Sequence, residues 1–242
     1  MKIPIKIEKC RIVEAILEIR FKTDVPSDAI FGKVYDKFIE EFPKQNDLDI
    51  LKIPKVFREQ DDNLKFKPHY VFSNKDGYQI RIGPEVMSII SSKPYPGWSE
   101  YSKIIHNAIE KFKETGIPKS FLRVGYRVIN FFNFEENLIE GNLFSKTKLA
   151  LKHEDEDLQA PAFLQLITEK DGVQNNLQLA TTTAYSNKKG ASFDIDSSLE
   201  FDENNMDVDE VIEKCHESLN YSFFSNLTTE FINELGASYG DN

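Results

Sequence analysis

Two stretches in which apolar and polar residues alternate constrain this chain more than any other feature. The first runs from Arg11 to Phe21 and the second from Phe121 to Phe132. Successive side chains of a β-strand point to opposite faces of its sheet, so a period of two predicts a strand with one apolar and one polar face. The chain is therefore expected to form sheets that pack one face against a core and leave the other face partly polar.

Three other stretches repeat their apolar residues at helical spacing. They cover residues 30–42, 98–112 and 208–235. Apolar positions three and four apart predict amphipathic helices, and each stretch is followed by a proline or a glycine, which is a typical stop. A shorter helix is predicted near Glu135 to Leu143.

Short β-favouring stretches bounded by turn residues fill the intervals between the helices. The turn residues include Asn74 to Gly77, Gly83-Pro84 and Asn187 to Gly190, which predicts antiparallel hairpins. The predicted strands are Leu64–Phe72, Tyr78–Ile82, Val86–Ile90, Phe163–Thr168, Leu177–Tyr185 and Ala191–Phe201.

The order of these elements predicts an α+β fold made of two similarly organised halves. Each half has the order β-α-β-β-β-α, with antiparallel sheets and helices packed on one face. The boundary is predicted near Pro118, which gives an N-terminal half of residues 1–118 and a C-terminal half of residues 119–242 that ends in a long helix. No linker rich in glycine, serine or proline separates the halves, so we expect them to share an interface.

The composition is that of an acidic globular protein. Lysine and arginine number 30 against 40 acidic residues, so the formal charge is −10, which repels a phosphate backbone; no nucleic-acid partner is expected. The two cysteines, Cys10 and Cys215, are far apart and outside metal-binding spacing, as is typical of free thiols in a reducing compartment. No apolar stretch has the length of a signal peptide or a membrane span, so we expect a cytoplasmic protein without membrane contact.

The polar faces of the predicted strands carry four arginines and several acidic residues. Held close together, the arginines would bind a carboxylate or a phosphate through paired hydrogen bonds. The other interpretation is that they pair with acidic residues of neighbouring strands and serve the structure alone. The candidate residues for a ligand or partner surface are Arg20, Arg81, Arg123, Arg127, Asn130, Asp194 and Asp196.

The segment Tyr95-Pro-Gly-Trp98 stops the extended structure ahead of the second predicted helix. Tyrosine and tryptophan are frequent among the residues that dominate protein interfaces, so Tyr95 and Trp98 are further candidates for a partner surface. The other interpretation is that a tryptophan at the start of an amphipathic helix packs into the core.

The sequence contains no motif typical of catalysis or cofactor binding. The four histidines lack zinc-binding spacing, and no glycine-rich phosphate loop, dinucleotide fingerprint or nucleophile elbow occurs. Cys215 and His216 are adjacent on a predicted helix, so they point about 100° apart and cannot act together as nucleophile and base. Asp194 and Asp196 have the spacing of paired acids, which alternation on a solvated strand also produces. We therefore expect no metal, no cofactor and no catalytic residue.

Four short motifs occur in the order and spacing of a known family. They are Val13-Glu-Ala-Ile-Leu-Glu-Ile-Arg-Phe21, Ile82-Gly-Pro84, Tyr95-Pro-Gly-Trp98 and Arg123-Val-Gly-Tyr-Arg-Val-Ile-Asn130. In these motifs, and in a Phe193-Asp-Ile-Asp196 strand before a Phe-rich helix, the chain resembles a sporadically distributed, uncharacterised family of bacterial and archaeal proteins of about this size. The resemblance spans nearly the whole chain and implies no catalytic residue. The patchy distribution of that family is like that of mobile or defence-associated genes.

Together these features favour a binding or interaction protein over an enzyme. We expect a protein partner or a homo-oligomer, with the product of a neighbouring gene as the molecule that is bound or regulated. The alternative is a protein that binds or processes a small anion or a nucleotide in a pocket between the halves. In that case Arg123 and Arg127 would hold the anion, and Asp194 or Asp196 would act as a base or a metal ligand.

Overall fold

The structure of the chain is a computed structural model. It describes residues 2–92, 94–136, 143–153, 156–157, 161–202 and 205–240. Helices are combined with antiparallel sheets, which confirms the predicted α+β class. The chain divides into two compact units. The first unit consists of Glu14–Tyr126 and Ser198–Glu213, and the second of Met1–Val13, Arg127–Ser197 and Lys214–Asn242.

The predicted elements up to residue 133 occur in the predicted order, with additional short elements at residues 6–7 and 44–65. In chain order they are β1 (Lys6–Ile7), β2 (Ile12–Lys22), α1 (Ser27–Phe38), β3 (Lys44–Asp47), a 3-10 helix (Asp49–Lys52), α2 (Lys55–Gln60), α3 (Asp62–Lys65), β4 (Tyr70–Ser73), β5 (Tyr78–Ile82), β6 (Val86–Ser92), α4 (Trp98–Glu114) and β7 (Ser120–Asn133).

The elements after residue 133 are mainly long strands followed by helices. They are two 3-10 helices (Phe134–Glu136 and Leu143–Lys146), β8 (Lys152–His153), β9 (Glu156–Asp157), β10 (Phe163–Lys170), β11 (Val173–Tyr185), β12 (Lys188–Glu200), α5 (Val208–Asn226), α6 (Thr229–Glu234) and β13 (Ala237–Ser238). The short helix predicted near Glu135 to Leu143 falls mostly on residues 137–142, which lie outside the described residues.

In the first unit the strands have the order β7-β2-β6-β5-β4-β3. The alternation along β2 is confirmed, because every second residue from Val13 to Phe21 is buried. Leu17 lies opposite Ile89 on β6, and Ile89 lies opposite Ile80 on β5, so one face of the sheet is continuously apolar. Helices α1 and α4 supply the facing side chains, and the rings of Phe21 and Phe112 meet edge to face at 4.9 Å.

Tyr101 on α4 places a hydroxyl group inside this core. It is fully buried, and its hydroxyl donates to the carbonyl of Ile89 at 2.6 Å and accepts from the N–H of Leu17 at 3.2 Å. Burial raises the pKa of the Tyr101 hydroxyl well above its ordinary value, so the group stays neutral. One side chain thus fixes the helix to two neighbouring strands.

We expect Tyr101→Phe to lower the free energy of unfolding by about 2 kcal/mol, because the variant leaves buried backbone groups without their partner. Urea unfolding followed by circular dichroism measures the change. Tyr35→Phe is the matched control, since Tyr35 is 39% exposed and its replacement should change stability by less than about 0.5 kcal/mol. Equal stability of the two variants would show that the Tyr101 hydroxyl does not support the core.

In the second unit the strands have the order β10-β11-β12-β7. The hairpin of β10 and β11 pairs Leu166 with Leu177 and Leu164 with Leu179, and the two leucines of β11 are buried. Helices α5 and α6 cover this face with phenylalanines. The ring centroids of Phe193 and Phe223 are 5.5 Å apart, and those of Phe132 and Phe231 are 5.6 Å apart.

The predicted strand Leu64–Phe72 is wrong in its first half. Residues Asp62–Lys65 form α3, and the strand begins only at Tyr70. Pro68 explains the late start, because proline has no N–H to donate to a sheet ladder. The N–H of His69, the next residue, already pairs with the carbonyl of Ile82 at 2.7 Å.

The prediction of a single long C-terminal helix is also wrong, since α5 ends at Asn226 and α6 begins at Thr229. Leu227 between them forms an antiparallel bridge with Thr147. The hydroxyl of Thr228 then accepts from the N–H of Phe231 at 3.2 Å and caps α6. A pairing with a distant segment therefore interrupts a stretch whose local pattern is helical.

The boundary near Pro118 and the repetition of the β-α-β-β-β-α order stay predictions. The boundary between the two compact units falls inside β7, between Tyr126 and Arg127. Both units also include a segment from the C-terminal part of the chain.

Candidate binding site

The residues predicted to form a ligand or partner surface divide between the two units. Those in the first unit are Arg20, Arg81, Tyr95, Trp98 and Arg123, and those in the second are Arg127, Asn130, Asp194 and Asp196. Within each unit, several of them are in direct contact.

Glu18 joins two of the predicted arginines in the first unit. Its Oε1 accepts a hydrogen bond from Nε of Arg20 and another from Nη1 of Arg123, both at 3.1 Å. Glu18 and Arg20 are two residues apart on β2, so their side chains leave the same face of the strand. Arg123 comes from the neighbouring strand β7. Arg123 thus pairs with an acidic residue of the neighbouring strand, as one of the two interpretations of the polar faces expects.

The guanidinium of Arg20 is held from two sides. Its Cζ lies 4.3 Å from the centroid of the Phe66 ring, where a cation is attracted to the aromatic face. Its Nε is bound to Glu18, whereas Nη1 and Nη2 make no hydrogen bond within the part of the chain that the structure describes. These two nitrogens are the end of the planar fork that binds a carboxylate through two parallel hydrogen bonds.

Gly125 makes room for the second arginine. A β-carbon at position 125 would lie 2.9 Å from Nη1 of Arg123 and 3.3 Å from Nη2. The Arg123 guanidinium therefore lies across the backbone of its own strand, over a residue that has no side chain. A methyl group at position 125 would require the guanidinium, whose Nη1 binds Glu18, to shift.

Arg20 and Arg123 line a cleft of about 470 Å³ within the first unit. We call it the arginine cleft; its other lining residues are Phe66, Leu122, Glu200 and Phe201. The N–H of Phe201 donates to the carbonyl of Leu122 at 3.0 Å, which holds the end of β12 beside the start of β7. A volume of this size is within the range of sites that bind small ligands.

The formal charges of the arginine cleft cancel. Its two arginines are balanced by Glu18, which binds both, and by Glu200 in the lining. The remaining lining residues are apolar. Such a site suits one carboxylate attached to an apolar group better than a polyphosphate, whose further negative charges would meet Glu200.

Four residues of the cleft are not among the candidate residues predicted from the sequence. They are Phe66, Leu122, Glu200 and Phe201. Leu122 is expected on the apolar face of its strand, and Phe66 falls in the part of a predicted strand that does not form. Aromatic and aliphatic residues in apolar stretches predict core positions, so composition alone gives no signal for a cleft.

In the second unit, Arg127 and Asp194 form a bidentate ion pair. Nε of Arg127 donates to Oδ1 at 2.9 Å, and Nη2 donates to Oδ2 at 2.5 Å. Buried Asn130, on the same strand as Arg127, donates to the carbonyl of Phe193 at 3.2 Å. Asp196 follows on the same side of β12 as Asp194 and is half-buried. The Arg127–Asp194 pair and the Asn130 bond connect β7 to β12.

Tyr95 and Trp98 pack in an aromatic cluster with Tyr101 and Tyr126. The ring of Trp98 is 5.2 Å from that of Tyr126 and 6.3 Å from that of Tyr101. The hydroxyls of Tyr95 and Tyr126 are 3.2 Å apart. Both predicted anchors are half-buried, so each ring has one side in the cluster and another side at the surface.

Arg81 does not line the arginine cleft. Its Nε and Nη2 donate to Oε1 of Gln79 at 3.3 and 3.0 Å. It lies opposite Ser88 on β6, and Ser88 in turn lies opposite Glu18 on β2. Arg81 is therefore an arginine of the same unit that can serve as a matched comparison for the cleft arginines.

The described residues contain no candidate metal site and no candidate membrane span. None of their His, Cys, Asp and Glu side chains form a group of three or more that could hold a metal ion. Within the same residues, every helix is too short or too polar to span a membrane.

Comparison with known proteins adds no family to this description. No protein-family model matches the chain, and no curated protein matches it.

Proposed function

We propose that this chain is a non-enzymatic, cytoplasmic binding protein that receives a carboxylate of a partner protein in the arginine cleft. The observation that carries this proposal is the guanidinium of Arg20, which is stacked on Phe66 and tied to Glu18 through Nε alone. An arginine immobilised in this way loses little conformational entropy when it binds, so a carboxylate gains most of the energy of two charge-assisted hydrogen bonds.

The apolar part of the lining defines what accompanies the carboxylate. Leu122 and Phe201 lie beside the arginines, and burial of an apolar group against them adds about 25 cal/mol per Å². We therefore infer that the partner presents an aspartate, a glutamate or a C-terminal carboxylate next to an apolar side chain. Arginine together with aromatic residues in a cleft is also the composition of interface hot spots.

The chemistry of the lining favours binding over catalysis. In the described cleft, arginine, phenylalanine, leucine and glutamate side chains are present, and this set contains no serine, cysteine or histidine to act as a nucleophile with an adjacent base. Because the set offers no such pair, we assign the arginines to recognition.

The predicted organisation in two repeated halves belongs to the same proposal. Arg20 and Phe66 precede Pro118, whereas Leu122, Arg123 and the remaining lining residues follow it. The cleft therefore combines residues from both sides of the predicted boundary. The product of a neighbouring gene is the first partner to test, an expectation that rests on the family resemblance.

The test uses the full chain and a defined probe, the capped dipeptide acetyl-Leu-Phe, as the free acid and as its C-terminal amide. Titration followed by amide chemical shifts should show the free acid, and not the amide, perturbing Arg20, Arg123 and Phe201. We expect Arg20→Ala to weaken binding of the acid at least about tenfold, which corresponds to 1.4 kcal/mol. Gly125→Ala should weaken it as well, through displacement of Arg123.

Arg81→Ala is the matched control, because it removes an arginine of the same unit that is outside the cleft. Native mass spectrometry of the chain from its own host then identifies the partner. A protein that is retained by wild type and by Arg81→Ala but lost from Arg20→Ala supports the proposal. Equal binding of acid and amide, or no effect of Arg20→Ala on either measurement, would show that the cleft does not recognise a carboxylate.

A second candidate is binding or processing of a small anion or a nucleotide in the same cleft. The volume of about 470 Å³ favours it, because small-molecule sites begin near 300 Å³. In that case native mass spectrometry would show a small anionic mass, without a protein partner, that is absent from Arg20→Ala. Arg127 and Asp194 are already paired with each other, so this candidate depends on Arg20 and Arg123.

A further inference from the structure

The outer edge of β10 in the second unit is exposed and apolar. β10 is the last strand in the order β10-β11-β12-β7, so it pairs with β11 on one side only among the strands that the structure describes. Phe163 and Ile167 are 63% and 59% exposed, and Leu166 is 37% exposed. An eight-residue strand with these side chains at a sheet edge is a template for pairing with another strand.

The alternation of hydrogen-bonded and non-hydrogen-bonded pairs along the hairpin shows which backbone groups of β10 make no bond to β11. Asp171 and Gly172 both have positive φ, as in a two-residue type I′ turn. The flanking residues of such a turn exchange both hydrogen bonds, and every second pair along the hairpin does the same. The N–H of Thr181 donates to the carbonyl of Ala162 at 3.0 Å, as this alternation requires.

It follows that alternate residues of β10 direct their N–H and C=O groups away from β11. These residues are Phe163, Gln165, Ile167 and Glu169. Within the described residues, none of their backbone groups bonds to another segment. Together they form one continuous row of donors and acceptors along the edge.

The usual protections of a sheet edge are missing from this strand. β10 contains no proline, and its eight consecutive pairs with β11 leave no bulge. Its lysine, Lys170, is engaged elsewhere, because Nζ lies 3.3 Å from the centroid of the Tyr221 ring. The terminal strand of the first unit, β3, differs in being four residues long and wholly polar. A long apolar edge that the described residues leave exposed is therefore open to pairing with another strand.

We propose that β10 pairs with β10 of a second copy of this chain to form a symmetric dimer. In an antiparallel pair with the two-fold axis at Leu166, Phe163 lies opposite the partner's Glu169, and Gln165 lies opposite the partner's Ile167. This register joins outward-facing residues only to outward-facing residues, so every N–H and C=O in the row gains a hydrogen bond.

Side chains and charges agree with this register. Leu166 meets its own symmetry mate as a non-hydrogen-bonded pair, the closer of the two kinds, and so extends the leucine row of the core face. The two Glu169 carboxylates lie six residues apart along the pair, about 20 Å, which is beyond the Debye length of about 8 Å at physiological ionic strength. Because the strand carries one acid and one base, two copies meet there without net repulsion.

The mass of the full chain in solution tests the proposal. Light scattering or sedimentation of the wild type at micromolar concentrations should give about 56 kDa, twice the 27.9 kDa of one chain. Gln165→Pro should give the mass of one chain, because proline removes an outward N–H and blocks the edge. Its backbone has no bond to β11 at that position, so the variant should fold as a monomer, with the far-UV circular dichroism of the wild type at 25 °C.

Cysteine cross-linking tests the register. With exposed Cys10 replaced by serine and Cys215 buried, Leu166→Cys should form a disulfide-linked dimer under mild oxidation, because facing residues of this kind have Cα atoms about 4.5 Å apart. Thr168→Cys, on the same face but away from the axis, should not. A monomeric wild type at 100 µM, a dimer that persists in Gln165→Pro, or β10 amides protected only by a different protein would each overturn the proposal. This test does not involve the arginine cleft, so either proposal can fail alone.

Discussion

Replacement of Gly190 by alanine is expected to lower the free energy of unfolding by about 3 kcal/mol. Gly190 is buried near the start of β12, where its α-carbon faces β7. An added β-carbon would lie 2.3 Å from the carbonyl oxygen of Phe132 and 2.5 Å from the ring of Phe131. The backbone oxygen cannot rotate away as a flexible side chain can, so one of the two strands must shift.

Urea unfolding measures this effect as a midpoint lowered by roughly 1 M, given a slope of about 3 kcal/mol per molar for a chain of this size. Gly32→Ala is the matched control. Gly32 lies in α1 with nothing within 4 Å of an added β-carbon, so alanine there should stabilise the protein by up to about 1 kcal/mol. If both variants unfold at the same urea concentration, β7 and β12 do not approach each other as closely as described.

Acidification from pH 7 to pH 4 is expected to remove stability through two histidines. Burial, with the charge of Arg58 as a lesser cause, lowers the pKa of His69 from 6.5 to about 4. Burial alone lowers the pKa of His216 by a similar amount, to about 4. Nη1 of Arg58 lies within 3.2 Å of both ring nitrogens of His69, and Nδ2 of Asn220 lies 2.9 Å from Nε2 of His216. Both surroundings favour the neutral ring.

The direction follows from proton binding. In the unfolded chain each histidine is protonated below about pH 6.5, whereas in the folded chain it remains neutral until about pH 4. Between these values the unfolded state binds more protons, so stability falls as the pH falls, and the loss is complete below about pH 4. A difference of about 2.5 pH units corresponds to up to about 3 kcal/mol from each histidine.

Urea midpoints measured between pH 7.5 and pH 4 test this expectation. His69→Gln and His216→Gln should unfold like the wild type at pH 7.5, where both rings are neutral, and should be less sensitive to acid. The double variant should retain only the acid sensitivity of the carboxylates that bind lysine, such as Asp28 with Lys55 and Glu114 with Lys37. An undiminished acid sensitivity in the double variant would assign the whole effect to those carboxylates.

The parts of the fold that depend on local periodicity were predictable from the sequence. The alternation from Val13 to Phe21 gives the buried face of β2, and the helical spacing after Trp98 gives α4 within two residues of its predicted end. The same alternation places Glu18 and Arg20 on one face, which makes their ion pair possible. These features follow because side-chain direction repeats every two residues in a strand and every 3.6 in a helix.

The features that were not predictable join residues distant in the chain. Phe66 lies under Arg20 although the two residues are 46 positions apart in the sequence. Leu227, between two helices, pairs with Thr147. The lowered pKa of His69 likewise results from burial, which local sequence does not specify. Periodicity reports which face of an element is apolar, but it carries no information about which distant segment covers that face. The arginine cleft and the exposed edge of β10 therefore arise only when the whole chain packs, because desolvation and contact depend on every neighbour at once.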